Sequence, residues 1–155
     1  MQTLTIKLLS IKDLKPHEKI SKINYTEVLQ DILKEQIIFN PIFVDMTTKV
    51  ILDGHHRFTV AKKLNLSQIP CLVIDYFNDS IISVFPRRDN IPVNKNLVIQ
   101  AGLQGNLFPN KSTRHVLHIS YSAIPYALTD LSLHPTTNTR RSMKLSTFDR
   151  QILHR

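Results

Sequence analysis

The sequence predicts an α/β protein with one small mixed β-sheet flanked by helices. Short apolar runs, such as residues 42–45 and 69–75, have the length and composition of strands, and apolar residues at helical spacing lie between them. With 155 residues and 42% hydrophobic content, the chain can bury a core without disulfides. We therefore expect one folded domain over residues 1–131 and a mobile, basic, hydroxyl-rich tail over residues 132–155.

The N-terminal segment is predicted to contain a strand, a loop and a helix. Residues 5–9 form the expected strand, and Pro16 excludes a helix in the loop that follows. Asn24 and Glu27 have capping-box spacing, which predicts an amphipathic helix of about three turns. Glu18 lies on the irregular backbone between strand and helix, where the alternative to a functional role is an ordinary solvated acid.

The middle of the chain is predicted to form a β-hairpin, a helix and a buried strand. Two apolar runs flank a short polar connection within residues 42–52, which indicates the hairpin. A helix then ends near residue 65, and the apolar run 69–75 is typical of a central strand. Cys71 lies inside that strand, so we interpret it as a small core residue rather than a nucleophile.

The last third is predicted to contain a strand over residues 81–85 and a helix capped by Asn94. The segment 116–119 returns to apolar alternation, and Leu128 and Leu131 belong to a final core segment.

A strand is expected to pass into a helix at Asp53-Gly54. Asp53 can cap that helix, Gly54 can adopt a backbone conformation closed to other residues, and the free N–H groups of the first turn favour an anion. His55, His56 and Arg57 add donors and positive charge at the same point. The alternative is an ordinary Asp-Gly turn with solvated histidines.

A second cluster of donors follows a proline turn. It consists of Lys111, Ser112, Thr113, Arg114 and His115, and such charged and hydroxyl groups suit a tetrahedral oxyanion. The alternative is a solvated basic loop, or Ser112 acting as a helix cap. Two such clusters in one small domain favour a phosphate site.

Charge and composition restrict the class of protein. The net charge of +8 concentrates anions near the surface and is compatible with nucleotides, DNA or acidic partners. The N-terminus resembles neither a secretory leader nor a transit peptide, and no apolar run approaches a membrane span. Together with a single cysteine, this predicts a cytoplasmic protein with no membrane partner.

Three blocks resemble the ParB/sulfiredoxin-like superfamily and, within it, the free L-serine kinases of the SerK and SbnI type. They are Leu-Lys-Pro-His-Glu at 14–18, Ile-Leu-Asp-Gly-His-His-Arg at 51–57 and Lys-Ser-Thr-Arg-His at 111–115. With Pro70 and residues 101–103, the resemblance covers roughly residues 4–131.

The resemblance implies phosphoryl transfer from ADP or ATP, with Mg²⁺, to the hydroxyl of free L-serine, giving O-phospho-L-serine. Glu18 would be the general base, and Asp53 a second essential acid near the Mg²⁺ and a candidate metal ligand. Phe85 stands where a substrate contact is expected. The residues implied in holding the nucleotide phosphates are Gly54, His55, His56, Arg57, Lys111, Ser112, Thr113, Arg114 and His115.

Two related activities are disfavoured by the sequence. Sulfiredoxins carry a cysteine in the loop equivalent to residues 53–57, whereas Cys71 lies outside that loop. Chromosome-partitioning ParB proteins continue into a helix-turn-helix module, which is not visible after Arg114. The alternative functions are a nucleotide-responsive module that binds DNA through its basic surface, and a ParB-like nuclease that requires Asp53.

Overall fold

A four-stranded mixed sheet forms the centre of the protein, which we describe from a computed structural model for residues 4–132. The sheet order is β1-β5-β3-β4, and the pairs β2-β8 and β6-β7 form two smaller ladders. The strands are β1 (Ile6–Ser10), β2 (Ile37–Ile38), β3 (Ile42–Asp45), β4 (Ile51–Asp53), β5 (Gln68–Ile74), β6 (Ile82–Pro86), β7 (Thr113–Leu117) and β8 (Tyr126–Ala127). The helices are α1 (Lys22–Glu35), α2 (His55–Lys63), α3 (Lys95–Gln104) and α4 (Leu128–Leu131).

Strand pairing confirms the predicted fold class and the predicted hairpin. β5 lies in the middle of the sheet, antiparallel to β1 and parallel to β3. β3 and β4 are antiparallel neighbours, as expected for residues 42–52. None of the helices within residues 4–132 is long and apolar enough to cross a membrane.

Alternation along the central strands divides the core into two layers. Ile42, Val44 and Cys71 belong to the layer that α1 and α2 cover. Phe43 and Leu72 point to the opposite face, where α3 and the β6-β7 ladder pack. Successive side chains of a strand point to opposite faces, so one sheet supports both layers. Cys71 is fully buried, as predicted.

Helix α1 begins earlier than the capping-box pattern predicts. Its N-cap is Ser21, whose side chain accepts a hydrogen bond from the Asn24 N–H at 3.4 Å, so the prediction of Asn24 as the cap is wrong. The reason is tertiary, because the N–H of Ser21 donates to the ring of His56 and fixes the chain in an extended conformation there.

The second donor cluster lies partly on a strand rather than wholly in a loop. β7 begins at Thr113 and pairs with β6, which aligns Phe85 with Arg114. The expected tail lies almost entirely outside the described residues, since the description ends at Ser132.

Gly102 allows α3 to approach the sheet closely. A Cβ at this position would lie 2.6 Å and 2.7 Å from the two γ-methyl groups of Val50. Val50 is fully buried just before β4, so it has little room to move. The close approach therefore fixes α3 against the strand that delivers Asp53.

Replacing Gly102 with alanine should lower the free energy of unfolding by about 1–3 kcal/mol, because the added methyl group overpacks a closed contact. The measurement is urea unfolding of the variant and the unmodified protein. Gln104→Ala on the exposed side of the same helix is the control and should change stability by less than about 0.5 kcal/mol. Equal effects of the two substitutions would contradict the packing argument.

Candidate functional site

A polar cleft of about 230 Å³ brings together residues from distant parts of the chain. Most of the predicted site residues line it, namely Glu18, Asp53, Gly54, His55, His56, Arg57, Thr113 and His115. Asn24, Val28, Leu52 and Arg87 complete the lining. Both donor clusters and Glu18 therefore meet in one place, although they are far apart in sequence.

Gly54 makes the turn from β4 into α2. Its φ of +100° lies in the left-handed region, which a side chain rarely adopts, and a Cβ would approach Ile42 to 2.5 Å. Gly54 itself is the N-cap of α2, and no side chain caps this end, so the prediction that Asp53 caps the helix is wrong. Asp53 is instead exposed at the rim of the cleft, beside the first turn of α2.

His55 and His56 hold the loop that carries Glu18. The Nε2 atom of His55 accepts the backbone N–H of His17 at 3.1 Å, and Nε2 of His56 accepts the N–H of Ser21 at 2.9 Å. Burial lowers the pKa of both rings, strongly for His55, which neighbouring histidines lower further. Both histidines thus act here as neutral acceptors rather than as cations.

The Glu18 carboxylate is bound by the backbone of the second cluster. Its Oε1 atom accepts from Thr113 N at 2.9 Å, Thr113 Oγ1 at 2.8 Å and Ser112 N at 3.3 Å. Among the described residues, its Oε2 atom accepts only from Lys111 N at 3.2 Å. Three backbone donors predicted to hold phosphate therefore hold a carboxylate in this structure. One oxygen of Glu18 is saturated, and the other is comparatively free.

His17 is a site residue that the sequence analysis missed. Its ring is fully buried, with Nδ1 2.6 Å from the carbonyl oxygen of Ile51 and Nε2 3.0 Å from Thr113 Oγ1. Burial lowers the pKa of His17 to about 4, against the opposing effect of the Ile51 carbonyl. The only available signal was its position between Pro16 and Glu18 in the first block.

His115 pairs with a tyrosine that was also missed. Nε2 of His115 lies 2.8 Å from the hydroxyl of Tyr76. Burial lowers the pKa of His115 to about 3, helped by His17 and Lys95, and burial raises the pKa of the Tyr76 hydroxyl. His115 is therefore neutral at physiological pH.

Two arginines reach the cleft in different ways. Arg57 donates from Nη2 to the carbonyl oxygen of Pro41 at 3.1 Å, and its Nε is buried with no hydrogen-bond partner among the described residues. Burial lowers the pKa of Arg57, although Asp53 opposes the effect. Arg87 is exposed at the cleft, and its backbone N–H donates to Ser112 O at 2.9 Å. The sequence analysis placed Arg87 in a basic loop without a role.

Four predicted site residues do not line the cleft. Phe85 and Arg114 are exposed and stack on each other, with the guanidinium carbon 5.1 Å from the ring centroid. Lys111 and Ser112 contribute only the backbone N–H groups that bind Glu18. Within residues 4–132, no group of three or more His, Cys, Asp or Glu side chains is arranged to hold a metal ion.

Solved structures place the fold among those of the free serine kinases. A free serine kinase in complex with AMP superimposes with a TM-score of 0.74 over 84% of this chain and 95% of that chain, at 14% identity. SbnI from Staphylococcus aureus, truncated at its C-terminus, gives a TM-score of 0.69 over 96% of this chain and 95% of that chain, at 13% identity. At such identities the likeness shows the fold alone.

Several curated proteins are similar in sequence to part of this chain. A ParB-like protein of Sulfolobus acidocaldarius is 36% identical over 81 residues, which are 52% of this chain and 40% of that protein. The ATP-dependent L-serine kinase of Staphylothermus marinus is 30% identical over 78 residues, covering 48% and 31% of the two chains. The ADP-dependent L-serine kinase SerK of Thermococcus kodakarensis is 27% identical over 79 residues, which are 47% of this chain and 32% of that protein.

The chain thus matches less than half the length of these curated relatives. No protein-family model matches it. The predicted resemblance to ParB-like proteins and L-serine kinases is confirmed.

The buried neutral histidines predict a loss of stability in mild acid. A histidine in the unfolded chain takes up a proton near pH 6.5, whereas folded His115 does so only near pH 3. The unfolded state therefore binds more protons between these values, and the free energy of unfolding falls as pH drops below 6.5. We expect urea unfolding to show that His115→Gln removes about 2 kcal/mol of the loss between pH 7 and 5.

The control for this measurement is Gln104→Ala, because Gln104 is exposed and carries no titratable group. It should leave the pH dependence of stability unchanged. The same pH dependence in the His115 variant and the unmodified protein would contradict the assignment of a neutral buried ring.

Proposed function

We propose that this protein is a free L-serine kinase, which transfers a phosphoryl group from ATP or ADP to the serine hydroxyl to give O-phospho-L-serine. The observation that carries the proposal is that Glu18, Asp53 and the N-terminus of α2 line one polar cleft. Phosphoryl transfer needs positioned phosphates, charge neutralisation and a base, and this cleft offers a group for each. The resemblance to named L-serine kinases supports the same activity.

Glu18 is proposed as the general base, acting through Oε2. Oε1 is held by three donors, whereas Oε2 accepts one long hydrogen bond from Lys111 N. In the reaction, the serine oxygen forms a bond to the terminal phosphorus and the bridging P–O bond breaks. The serine proton moves to Oε2, and ADP or AMP leaves with the electron pair of the broken bond.

The phosphates are proposed to lie at the start of α2, near Arg87. The first-turn N–H groups of residues 55–57 have no partner within the helix, and the helix dipole favours negative charge there. Arg87 is exposed at the same cleft and supplies a forked cation. Phosphate roles for Lys111, Ser112, Thr113, Arg114 and His115, and a substrate contact by Phe85, stay predictions.

Mg²⁺ is the proposed metal, with Asp53 as its protein ligand. The exposed carboxylate at the rim fits this ion, which is commonly held by one or two carboxylates together with substrate phosphates. When bound, Mg²⁺ neutralises charge on the phosphate oxygens. DNA binding through the basic surface is a separate prediction that rests on the net charge of +8.

The first test is to incubate the protein with Mg²⁺, L-serine and either ATP or ADP, and to detect O-phosphoserine by mass spectrometry. Glu18→Gln should lower kcat at least about 100-fold, because general-base catalysis contributes on that order, while nucleotide affinity changes little. Glu27→Gln on the exposed side of α1 is the matched control and should retain activity. Full turnover by the Glu18 variant would exclude Glu18 as the base.

Arg87→Ala should raise the KM for the nucleotide about tenfold or more, because a charge-assisted contact to phosphate is lost. Steady-state kinetics with nucleotide as the varied substrate measure the effect. Lys34→Ala removes the same charge from an exposed position of α1, away from the cleft, and should leave this KM unchanged. Equal shifts in both variants would mean that Arg87 acts only through net charge.

A further inference from the structure

The hydroxyl of Thr113 lies between two acceptors but carries a single proton. Oγ1 is 2.8 Å from Oε1 of Glu18 and 3.0 Å from Nε2 of His17. Thr113 and His17 are both buried, so water does not readily supply a missing donor. The proton of the hydroxyl therefore decides which of the two neighbours is satisfied.

The contact of Nδ1 determines which tautomer the His17 ring adopts. Nδ1 lies 2.6 Å from the carbonyl oxygen of Ile51, which can only accept, so Nδ1 carries a hydrogen. Burial keeps the ring neutral, with its pKa lowered to about 4. A neutral imidazole has one N–H, so Nε2 is an acceptor at physiological pH.

The series of hydrogen-bonding contacts from Ile51 to Glu18 is thus one proton short. Its three contacts, Ile51 O to Nδ1, Nε2 to Oγ1, and Oγ1 to Oε1, each need one hydrogen. Neutral His17 and the Thr113 hydroxyl together supply two. With Glu18 ionised, the stronger acceptor is the carboxylate, and the hydroxyl points there.

We propose that Thr113 is a positioning residue whose hydroxyl switches from Glu18 to His17 when Glu18 takes up a proton. The carboxylate loses its charge and becomes a weaker acceptor, so the hydroxyl proton turns to Nε2 of His17, which has no other donor within residues 4–132. This rotation exchanges one hydrogen bond for another, and the covalent O–H bond of Thr113 stays intact. The only proton that moves between molecules is the one that Glu18 receives from the acceptor alcohol.

The switch matters for catalysis because it stabilises both states of the base. A hydroxyl that donates to ionised Glu18 orients the carboxylate before the reaction. The same hydroxyl, once turned to His17, satisfies a buried nitrogen after the proton arrives. This catalytic use rests on the proposed function, whereas the switch itself can be tested without turnover.

Other ionisable groups lie close to these hydrogen-bonding contacts, and their protonation states decide the pH at which the test is made. The rings of His55 and His115 lie 4.5 Å and 5.8 Å from the ring of His17. His56 interacts electrostatically with Glu18, and Asp53 and Arg87 line the same cleft. His55 and His115 are neutral at pH 7.5, so an experiment at that pH changes only Glu18.

The test is ¹⁵N NMR of the full chain with labelled histidine at pH 7.5. In Glu18→Gln, which is neutral like the protonated acid, the Nε2 resonance of His17 should move upfield, as it does when a bare imidazole nitrogen gains a donor. Adding Thr113→Val to Glu18→Gln should return the resonance to its original position. Thr113→Val alone should leave it unmoved, because the hydroxyl donates to Glu18 in the unmodified protein.

Two results would overturn the switch. One is an unchanged His17 resonance in a folded Glu18→Gln protein, and the other is a downfield shift in Thr113→Val alone, which would mean that the hydroxyl already donates to His17. If Glu18→Gln fails to fold, Glu18→Ala, which removes the acceptor altogether, should move the His17 resonance upfield in the same way. An unchanged resonance in a folded Glu18→Ala protein would count as the first of these results.

The catalytic consequence is measured separately by kinase assay. Thr113→Val should lower kcat with little change in the KM for nucleotide, and Thr113→Ser, which keeps the hydroxyl, should restore most of it. An NMR switch without any phosphoserine would mean that the proposed activity is wrong while the switch stands. Equal kcat for the valine and serine variants would remove the catalytic role of the hydroxyl.

Discussion

The cleft depends on the binding of one carboxylate by one turn of backbone. Glu18 accepts hydrogen bonds from the N–H groups of Lys111, Ser112 and Thr113, which lie 93 to 95 residues further along the chain. Partly buried backbone donors are costly without a partner, so each side of this contact needs the other. Through it the loop before α1 and the start of β7 take up a fixed relation.

The same loop is also held from its other side. His55 and His56, in the first turn of α2, accept the backbone N–H groups of His17 and Ser21. The loop around Glu18 is therefore clamped between α2 and the β6-β7 ladder. The clamp explains how an irregular segment can present a carboxylate with defined geometry. The cost of ordering this loop is met during folding rather than when a ligand binds.

Local patterns in the sequence were sufficient for the main elements and for the turn at Gly54. Strand alternation, the helix cap at Asn94 and the requirement for a left-handed residue are all encoded within a few neighbouring positions. The start of α1 could not be predicted from the local pattern. The backbone N–H of Ser21 binds the ring of the distant His56, and this contact sets where the extended segment ends. Local propensity is a weak guide where such a tertiary contact intervenes.

The contents of the cleft were only partly predictable for a related reason. The Glu18 carboxylate is bound mainly by backbone N–H groups, and such donors cannot be identified from the types of the side chains. The positions of Phe85 and Arg114 depend on which face of the β6-β7 ladder they occupy, and that face is set by register rather than by residue type. The roles of His17 and Tyr76 were not predicted, because a buried polar side chain is identified by its hydrogen-bond partners, which the sequence alone does not show.

The histidines around the cleft have a consequence for its selectivity among metal ions. Four imidazoles lie within or beside it, a density that elsewhere would attract zinc or copper. Here the rings of His55, His56 and His115 already have Nε2 engaged with a protein group, and Nδ1 of His17 is bound to a carbonyl. A soft or borderline cation would have to displace those bonds to reach a lone pair. These hydrogen bonds thus leave few imidazole lone pairs for a soft metal ion, although four histidines lie together.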